Sequence, residues 1–500
     1  MPVLQSLRNI LTDKLRSPLA RVMKMEEKYD PVKKGHFQRL YDYYVNDQKQ
    51  IKLYTQGSMK ILFKQDTINK MLLPYFNITR RIINRLCVAY KVAAERYIIV
   101  PRTVSETESK TEMIPDLGMQ KAQDNYQLLL EGSNINSRAK EWHRLSKLLD
   151  TVYVQAIWRG DHLEYDVFPP HKLMVKENAD NYLLADEVSY DLTTPTGDTQ
   201  RVFWSIDEHW ITDQQGRPVA GRNPWNGVNK YGILPFAILR LREVENHWGE
   251  GDTQLVDINE KINILLASLN FNAIMQSHGQ AVAINMDVEG QFQTGPDKVI
   301  TAKNVPGDQT ASFAFVSPQP AIDSNVKLID WMIKTAAMSR GLPAASVSID
   351  ETPQSGAAKA IDNIELFEIR EDDLEYLRPF EKQLFEVSRV IWNYEQPDKK
   401  IAEDAEFGVD FVKPEPPMTR DEEMKYKKAL MEFGLWTPVM DAIDEDEGID
   451  EEQALAFVRR NLEIRNELND QYGLGNIGKI LEDDQTVEET ESTPGRTEAL

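Results

Sequence analysis

From Thr253 to Ser277 apolar residues recur at three- and four-residue steps (Leu255, Ile258, Ile262, Leu265, Leu266, Leu269, Ala273), with Asp257, Glu260 and Lys261 between them. That spacing predicts a helix with one packing stripe and one wet face. A second stretch, Asp323 to Arg340, repeats the pattern with Val326, Ile329, Met332, Ile333 and Ala336, and stops at Gly341 and Pro343, residues that end helices. Between the two, residues 278–322 hold short apolar runs (AVAIN, KVIT, ASFAFV) broken by Gly290, Gly295, Pro296, Pro306, Gly307, Pro318 and Pro320. Two helices therefore flank a small β-tip. After the break LPAASVSIDETPQ, Ser355 and Gly356 open a helix expected to reach about Tyr394, with Pro379 as a kink. Such a helix spans about 58 Å. This order fits a channel-lining part better than an enzyme.

The rest of the chain frames that succession. Residues 1–100 read mostly helical, with segments near His36–Val45 and Asn77–Tyr97, the latter capped by Asn77 or Thr79. The polar run 103–118 (TVSETESKTEMIPDLG) reads as an exposed loop, and 119–149 as a helix. From Thr151 to Arg242 the period shortens to that of strands: VYVQAIW, HLEYDVF, KLMVKE, DEVSYDL, RVFWSI, HWIT and FAILRLR, an antiparallel sheet region. Arg159, Gly160 and Asp161 spell an adhesion tripeptide but sit where a hairpin turn belongs. Residues 407–417 read as a returning strand and linker, and 420–433 and 450–469 as two helices. The acidic tail from Glu482 has too few apolar residues to build a core.

Composition narrows the function classes. No apolar run approaches the roughly 18 residues of a membrane helix, and the N-terminus has no apolar secretory region, so cytosolic synthesis is expected. Cys87 is the only cysteine, which leaves no disulfide or thiolate metal site within one chain. Its apolar neighbours Ile82, Ile83, Leu86 and Val88 make it a core residue. The net charge of −22 is unevenly spread: residues 1–100 carry 19 Lys and Arg against 8 Asp and Glu, and the remaining 400 carry 39 against 72. A basic fifth on an acidic body has two readings: a surface for an acidic partner or nucleic acid, or ordinary wet helix faces. An acidic body does not grip phosphates tightly.

The motifs that might carry chemistry fail on mechanics. Gly473, Gly475, Gly478 and Lys479 imitate a phosphate loop, but Ile480 stands where a magnesium-binding hydroxyl belongs and a helix precedes instead of a strand. The acidic run Asp444 to Glu452 imitates a calcium loop, yet counting back from Gly448 puts Ile443 in the first ligand position. The seven histidines show no zinc spacing, and no hydrolase nucleophile elbow is present. No catalytic, cofactor-binding or metal-binding residue is assigned.

Four segments carry a family resemblance: GEGDTQLVDINEKINILLASLNFNAI (Gly249–Ile274), GLPAASVS (Gly341–Ser348), SGAAKAIDNIELFEIRE (Ser355–Glu371) and YDYYVNDQ (Tyr41–Gln48). In this order the chain resembles the portal proteins of tailed bacteriophages over essentially its whole length up to the acidic tail. The resemblance rests on order and length, and none of the four segments is a catalytic signature.

The resemblance implies an α+β, elongated subunit assembled as a homo-oligomeric ring of about twelve copies. It would sit at one capsid vertex of the virion after assembly in the host bacterial cytoplasm. Residues 1–252 would form the wing, 253–277 and 323–340 the stem, 278–322 the clip, 341–355 the tunnel loop, 356–417 the long wing helix and returning strand, 418–475 the crown and 476–500 the tail. Double-stranded DNA would pass through without sequence-specific contact. Further implied partners are the terminase large subunit, the major capsid and scaffolding proteins, and a head-completion or neck adaptor; no membrane is involved.

The implied DNA-facing loop residues are Ser346, Val347, Ser348, Ile349, Asp350 and Glu351, none of them basic. Basic candidates for the bore or clip are Lys298, Lys303, Lys327 and Lys334, which ordinary surface lysines or inter-subunit ion pairs explain as well. Two alternatives stay open: a non-portal structural protein of the phage neck or baseplate, and a nucleotide-binding enzyme using Lys479.

Overall fold

A computed structural model of the 500-residue chain describes residues 31–107, 110–223, 225–277, 280–284, 286–288, 302–304, 312–316, 322–347, 364–412, 420–432, 437–445 and 451–472. The fold is mixed helix and antiparallel sheet, and the chain divides into two units, Met1–Glu415 and Pro416–Leu500.

The first unit begins with helices α1 (Pro31–Val45), α2 (Gln48–Leu62), α3 (Gln65–Lys70) and α4 (Ile78–Leu86). Asn77 caps α4, as expected, by accepting from the Arg80 amide at 3.2 Å. The helix stops at Cys87 rather than running to Tyr97, because β1 (Glu95–Ile98) is recruited by a strand more than 300 residues away, β15 (Phe407–Asp410). Such long-range pairing is invisible to local periodicity. Residues 103–118 are also not a loop. Strands β2 (Arg102–Thr107) and β3 (Lys110–Pro115) pair as an antiparallel hairpin, in a sequence whose polarity masked the β-branched Thr103, Val104, Thr107, Thr111 and Ile114. The expected 119–149 helix is two, α5 (Leu117–Gly132) and α6 (Ile135–Leu149), parted at Ser133 and Asn134.

All seven strands expected between 151 and 242 form. β4 (Thr151–Arg159) lies between β5 (His162–Phe168) and β10 (Phe236–Arg240), while β6 (Leu173–Glu177), β7 (Ala185–Thr193), β8 (Thr199–Ser205) and β9 (His209–Thr212) make a separate four-stranded meander. Gly160, at φ +66°, turns the β4–β5 hairpin. β4 is buried on both faces, with Tyr153 in one hydrophobic cluster and Val154 and Ala156 in another.

Helix α7 (Thr253–Ser277) has the expected bounds. Then come β11 (Gln280–Ile284), β12 (Met286–Val288), β13 (Ala302–Asn304) and β14 (Ser312–Val316), paired as β11–β14 and β12–β13. Helix α8 (Ile322–Met338) packs along α7, and α9 (Ile364–Glu395) packs on β4 and β10. With 32 residues α9 spans about 48 Å. It continues through Pro379, which removes one backbone donor, and buries Leu377, Phe380, Leu384, Phe385 and Ile391. Each such side chain contributes about 2 kcal/mol of burial.

The second unit holds α10 (Arg420–Glu432), α11 (Pro438–Glu445) and α12 (Glu451–Tyr472). Helix α11 was not anticipated: its eight residues are too few for a periodic signal. Among the described residues no helix is long and apolar enough to cross a membrane.

Candidate functional site

The two helices α7 and α8 share a root, and its construction begins with a strained residue. Asp150 ends α6 at φ 64° and ψ −55°, a sparsely populated conformation. Its carboxylate accepts from the Glu250 amide (3.0 Å), the Gly251 amide (2.8 Å) and Arg242 Nη2 (2.5 Å), so it holds the turn that launches α7. Hydrogen bonds to the charged group offset the strain. Asp252 then caps α7 by accepting from the Leu255 amide at 3.0 Å, and takes both forks of Arg340 from the end of α8, at 2.6 Å each. A bidentate guanidinium–carboxylate pair fixes orientation as well as distance. The two helices are therefore clasped where they enter the body.

Gly251 makes this approach possible. It sits at φ +72°, and a Cβ there would lie 2.7 Å from the Leu148 carbonyl oxygen. Gly251→Ala is expected to cost about 3 kcal/mol, combining left-handed strain with displacement of a backbone atom. Urea unfolding measures it, and an unchanged midpoint would refute this role.

Higher up, the first half of α7 is enclosed by polar contacts. Asn259 is fully buried; its Oδ1 accepts from the Ile78 and Thr79 amides (2.7 and 3.1 Å) and its Nδ2 donates to the Phe76 carbonyl (2.8 Å). Asn259 thus caps α4 from another helix, satisfying donors that a helix N-terminus leaves orphaned. Asn263 Oδ1 accepts from the Phe76 amide at 3.0 Å, and Arg39 pairs with Asp257 (2.8 Å) and Glu260 (2.7 Å). Burial then falls away along the pair: Asn270 and Asn272–Ile274 on α7 are exposed, as are Val326, Leu328 and Trp331 on α8.

Beside the root a cleft of about 940 Å³ is lined by Lys147, Asp150, Arg242, Asp252 and Arg340 together with Glu365, Asp372, Asp373 and Glu375 of and near the start of α9. Asp373 accepts from His143 Nε2 (3.0 Å) and from Lys147 Nζ (2.6 Å). Burial opposes the Asp373 charge, but the hydrogen bond from His143 and the Lys147 charge prevail and hold its pKa below the usual carboxylate value. His143 itself is pushed down, chiefly by desolvation. Among the described residues no group of three or more His, Cys, Asp and Glu is arranged to hold a metal.

The expected loop residues divide. Ser346 closes a short turn, Ala344–Ser346, and its carbonyl accepts from Arg81 Nη2 at 3.4 Å. Val347, assigned above to a DNA-facing surface, is buried (5% exposed) in the main core, because that turn folds it back onto the body. Ser348, Ile349, Asp350 and Glu351 lie outside the described residues. Lys327 is exposed on α8, and Lys334 pairs with Asp330 at 2.7 Å, the ordinary helix-surface pairing. Lys303 lies on β13 opposite Asp287, and Lys298 is outside the described residues. Lys479 and the 446–450 part of the acidic run are outside them too. The root residues Asp150, Asn259 and Arg340 were not singled out from sequence; the Gly249, Gly251, Asp252 spacing was the one local signal for them.

No family model matches the chain, and no curated protein matches it. Among solved structures the chain is similar to "Neck of native GTA particle computed with C12 symmetry" (TM-score 0.36), "Virion of native gene transfer agent (GTA) particle" (0.34) and "Neck of empty GTA particle computed with C6 symmetry" (0.32). Each is 12% identical, over 72% of this chain and 86% of that chain. At those scores the likenesses fix neither the fold nor the role of this chain.

Proposed function

We propose that this chain is a non-enzymatic portal-type subunit. It would assemble into a ring at a capsid vertex that conducts double-stranded DNA and docks the packaging terminase, then neck proteins. The observation that carries the reading is the clasped helix pair. It is rooted firmly by Asp252 and Arg340, yet α8 exposes Leu328 (42%), Trp331 (62%) and Met338 (58%) on one side. Large apolar side chains in a row on a helix are costly in water. A neighbouring copy packed around a bore covers them, and a heterologous contact repeated by rotation closes into a ring. The acidic body adds the second property, a lining that repels the duplex and lets it slide.

The test is direct. Purified protein viewed by negative-stain electron microscopy is expected to show rings with a central hole. Monomers alone across salt, pH and concentration would overturn the reading. Rings that never bind the terminase large subunit would favour a structural role in a neck or baseplate instead.

A further inference from the structure

The solvent face of α4 is a run of cations. Ile78, Thr79, Ile82, Ile83 and Leu86 are buried, which turns Arg80, Arg81 and Arg85 outward, all three exposed, with Asn84 among them. With Asn46 and Asn77 they line a cleft of about 450 Å³ that no carboxylate enters. The surrounding sequence is as one-sided: from Thr67 to Ala94 there are five Lys and Arg and no Asp or Glu. In a chain with 80 carboxylates, none of these three arginines forms an ion pair among the described residues. The nearby Asp47 is engaged as the cap of α2, accepting from the Lys49 and Gln50 amides.

Hydrogen bonds tie the wall of the cleft together. Asn46 Oδ1 accepts from Asn77 Nδ2 at 2.7 Å and from the Tyr75 hydroxyl, and Asn77 Nδ2 also donates to the Tyr43 carbonyl at 2.6 Å. Arg81 reaches the Ser346 carbonyl, so the patch adjoins the start of the break before α9.

We infer that Arg80, Arg81 and Arg85 bind the phosphodiester backbone of double-stranded DNA. The inference rests on the reading of this chain as a DNA conduit, and places the phosphate contact on α4 of the body rather than on the lysines of the helix pair. Planar guanidinium forks match phosphate oxygens two at a time. Asparagine amides commonly supplement such contacts. The residues after Ser346 carry no Lys or Arg up to Gly356, so that stretch offers no phosphate-binding cation of its own.

The experiment uses the full-length assembled protein and a 30-base-pair duplex of random sequence, with binding read by fluorescence anisotropy across a salt series and assembly by mass photometry. The R80Q/R81Q/R85Q variant is expected to assemble as the wild type does. It should bind the duplex about tenfold or more weakly at 0.1 M salt, with a log–log salt slope shallower by about 2 or more. A K52Q/K60Q variant, which removes two exposed cations of α2, is the control and should change little. Unchanged binding by the triple variant overturns the inference, as does an equal loss in the control. Loss of assembly in the triple variant alone also overturns it, and assigns the arginines to a contact between copies. Wild-type protein that binds DNA through these arginines without forming rings would sink the conduit reading and leave the phosphate site standing.

Discussion

Replacing Arg96 with methionine is expected to destabilise the first unit by about 3–5 kcal/mol. The side chains of Arg96 and Glu381 are both almost wholly buried, at 2% and 1% exposure, and Arg96 Nε and Nη2 meet the two carboxylate oxygens at 2.8 and 2.7 Å. Asn136 takes Nη1 at 2.9 Å, and the Tyr90 hydroxyl adds a bond to Glu381 at 2.6 Å. Burial opposes the guanidinium charge, but Glu381 outweighs it and raises the Arg96 pKa above its ordinary value. Removing Arg96 leaves Glu381 a buried charge with one neutral hydroxyl. The pair joins β1 to the middle of α9, so the loss also loosens the strand that β15 completes. Urea unfolding of R96M, E381Q and the double R96M/E381L should show the double variant recovering much of the loss, since apolar replacement of a buried pair is often neutral. A loss below 1 kcal/mol in R96M would show that water reaches the site.

The parts of the fold readable from sequence are those whose signal is local. Helix α7 repeats its apolar stripe over six turns, and the seven strands from β4 to β10 alternate between turn residues, so each announces itself within a short window. What was missed depends on partners far away. Cys87 ends α4 because β1 pairs with β15, and Asn259 is buried because α4 needs a cap from α7. The same holds for the site. Val347 looked like a loop residue in a polar, Ser-rich run, and only the turn at Ala344–Ser346 carries it into the core. The arginines of α4 were counted in the basic fifth of the chain, but their isolation from every described carboxylate is a property of three dimensions.

Acidification from pH 6.5 towards pH 4.5 is expected to destabilise the first unit steeply, well before most carboxylates titrate. Three histidines are held neutral chiefly by burial, with a cationic neighbour acting in the same direction. His171 is lowered to about 3, with Lys172 and Lys34 nearby; His209 to about 4, with Lys230 nearby; and His247 to about 4, with Arg240 nearby. His143 is shifted the same way. For His247 burial is the main cause, and the neutral ring is fully partnered: Nδ1 donates to the Tyr182 carbonyl at 2.6 Å, which leaves Nε2 to accept from the Tyr153 hydroxyl at 2.6 Å. His209 stacks on Trp204 at 3.6 Å and bonds the Phe203 carbonyl through Nδ1.

The sign follows from proton counting. Below pH 6.5 the unfolded chain protonates these rings and the folded chain does not, so unfolding takes up protons and stability falls as pH falls, until the folded pKa values are reached. His162 is raised by its bonds to Asp161 and Glu164, so its contribution lies above pH 6.5 and has the opposite sign. Near pH 5 the uptake approaches about three protons, or about 4 kcal/mol per pH unit. Urea midpoints between pH 5 and 6 measure the slope. His247→Asn, which cannot titrate, should reduce it by about one proton, whereas a flat profile in the wild type would place these rings in contact with water.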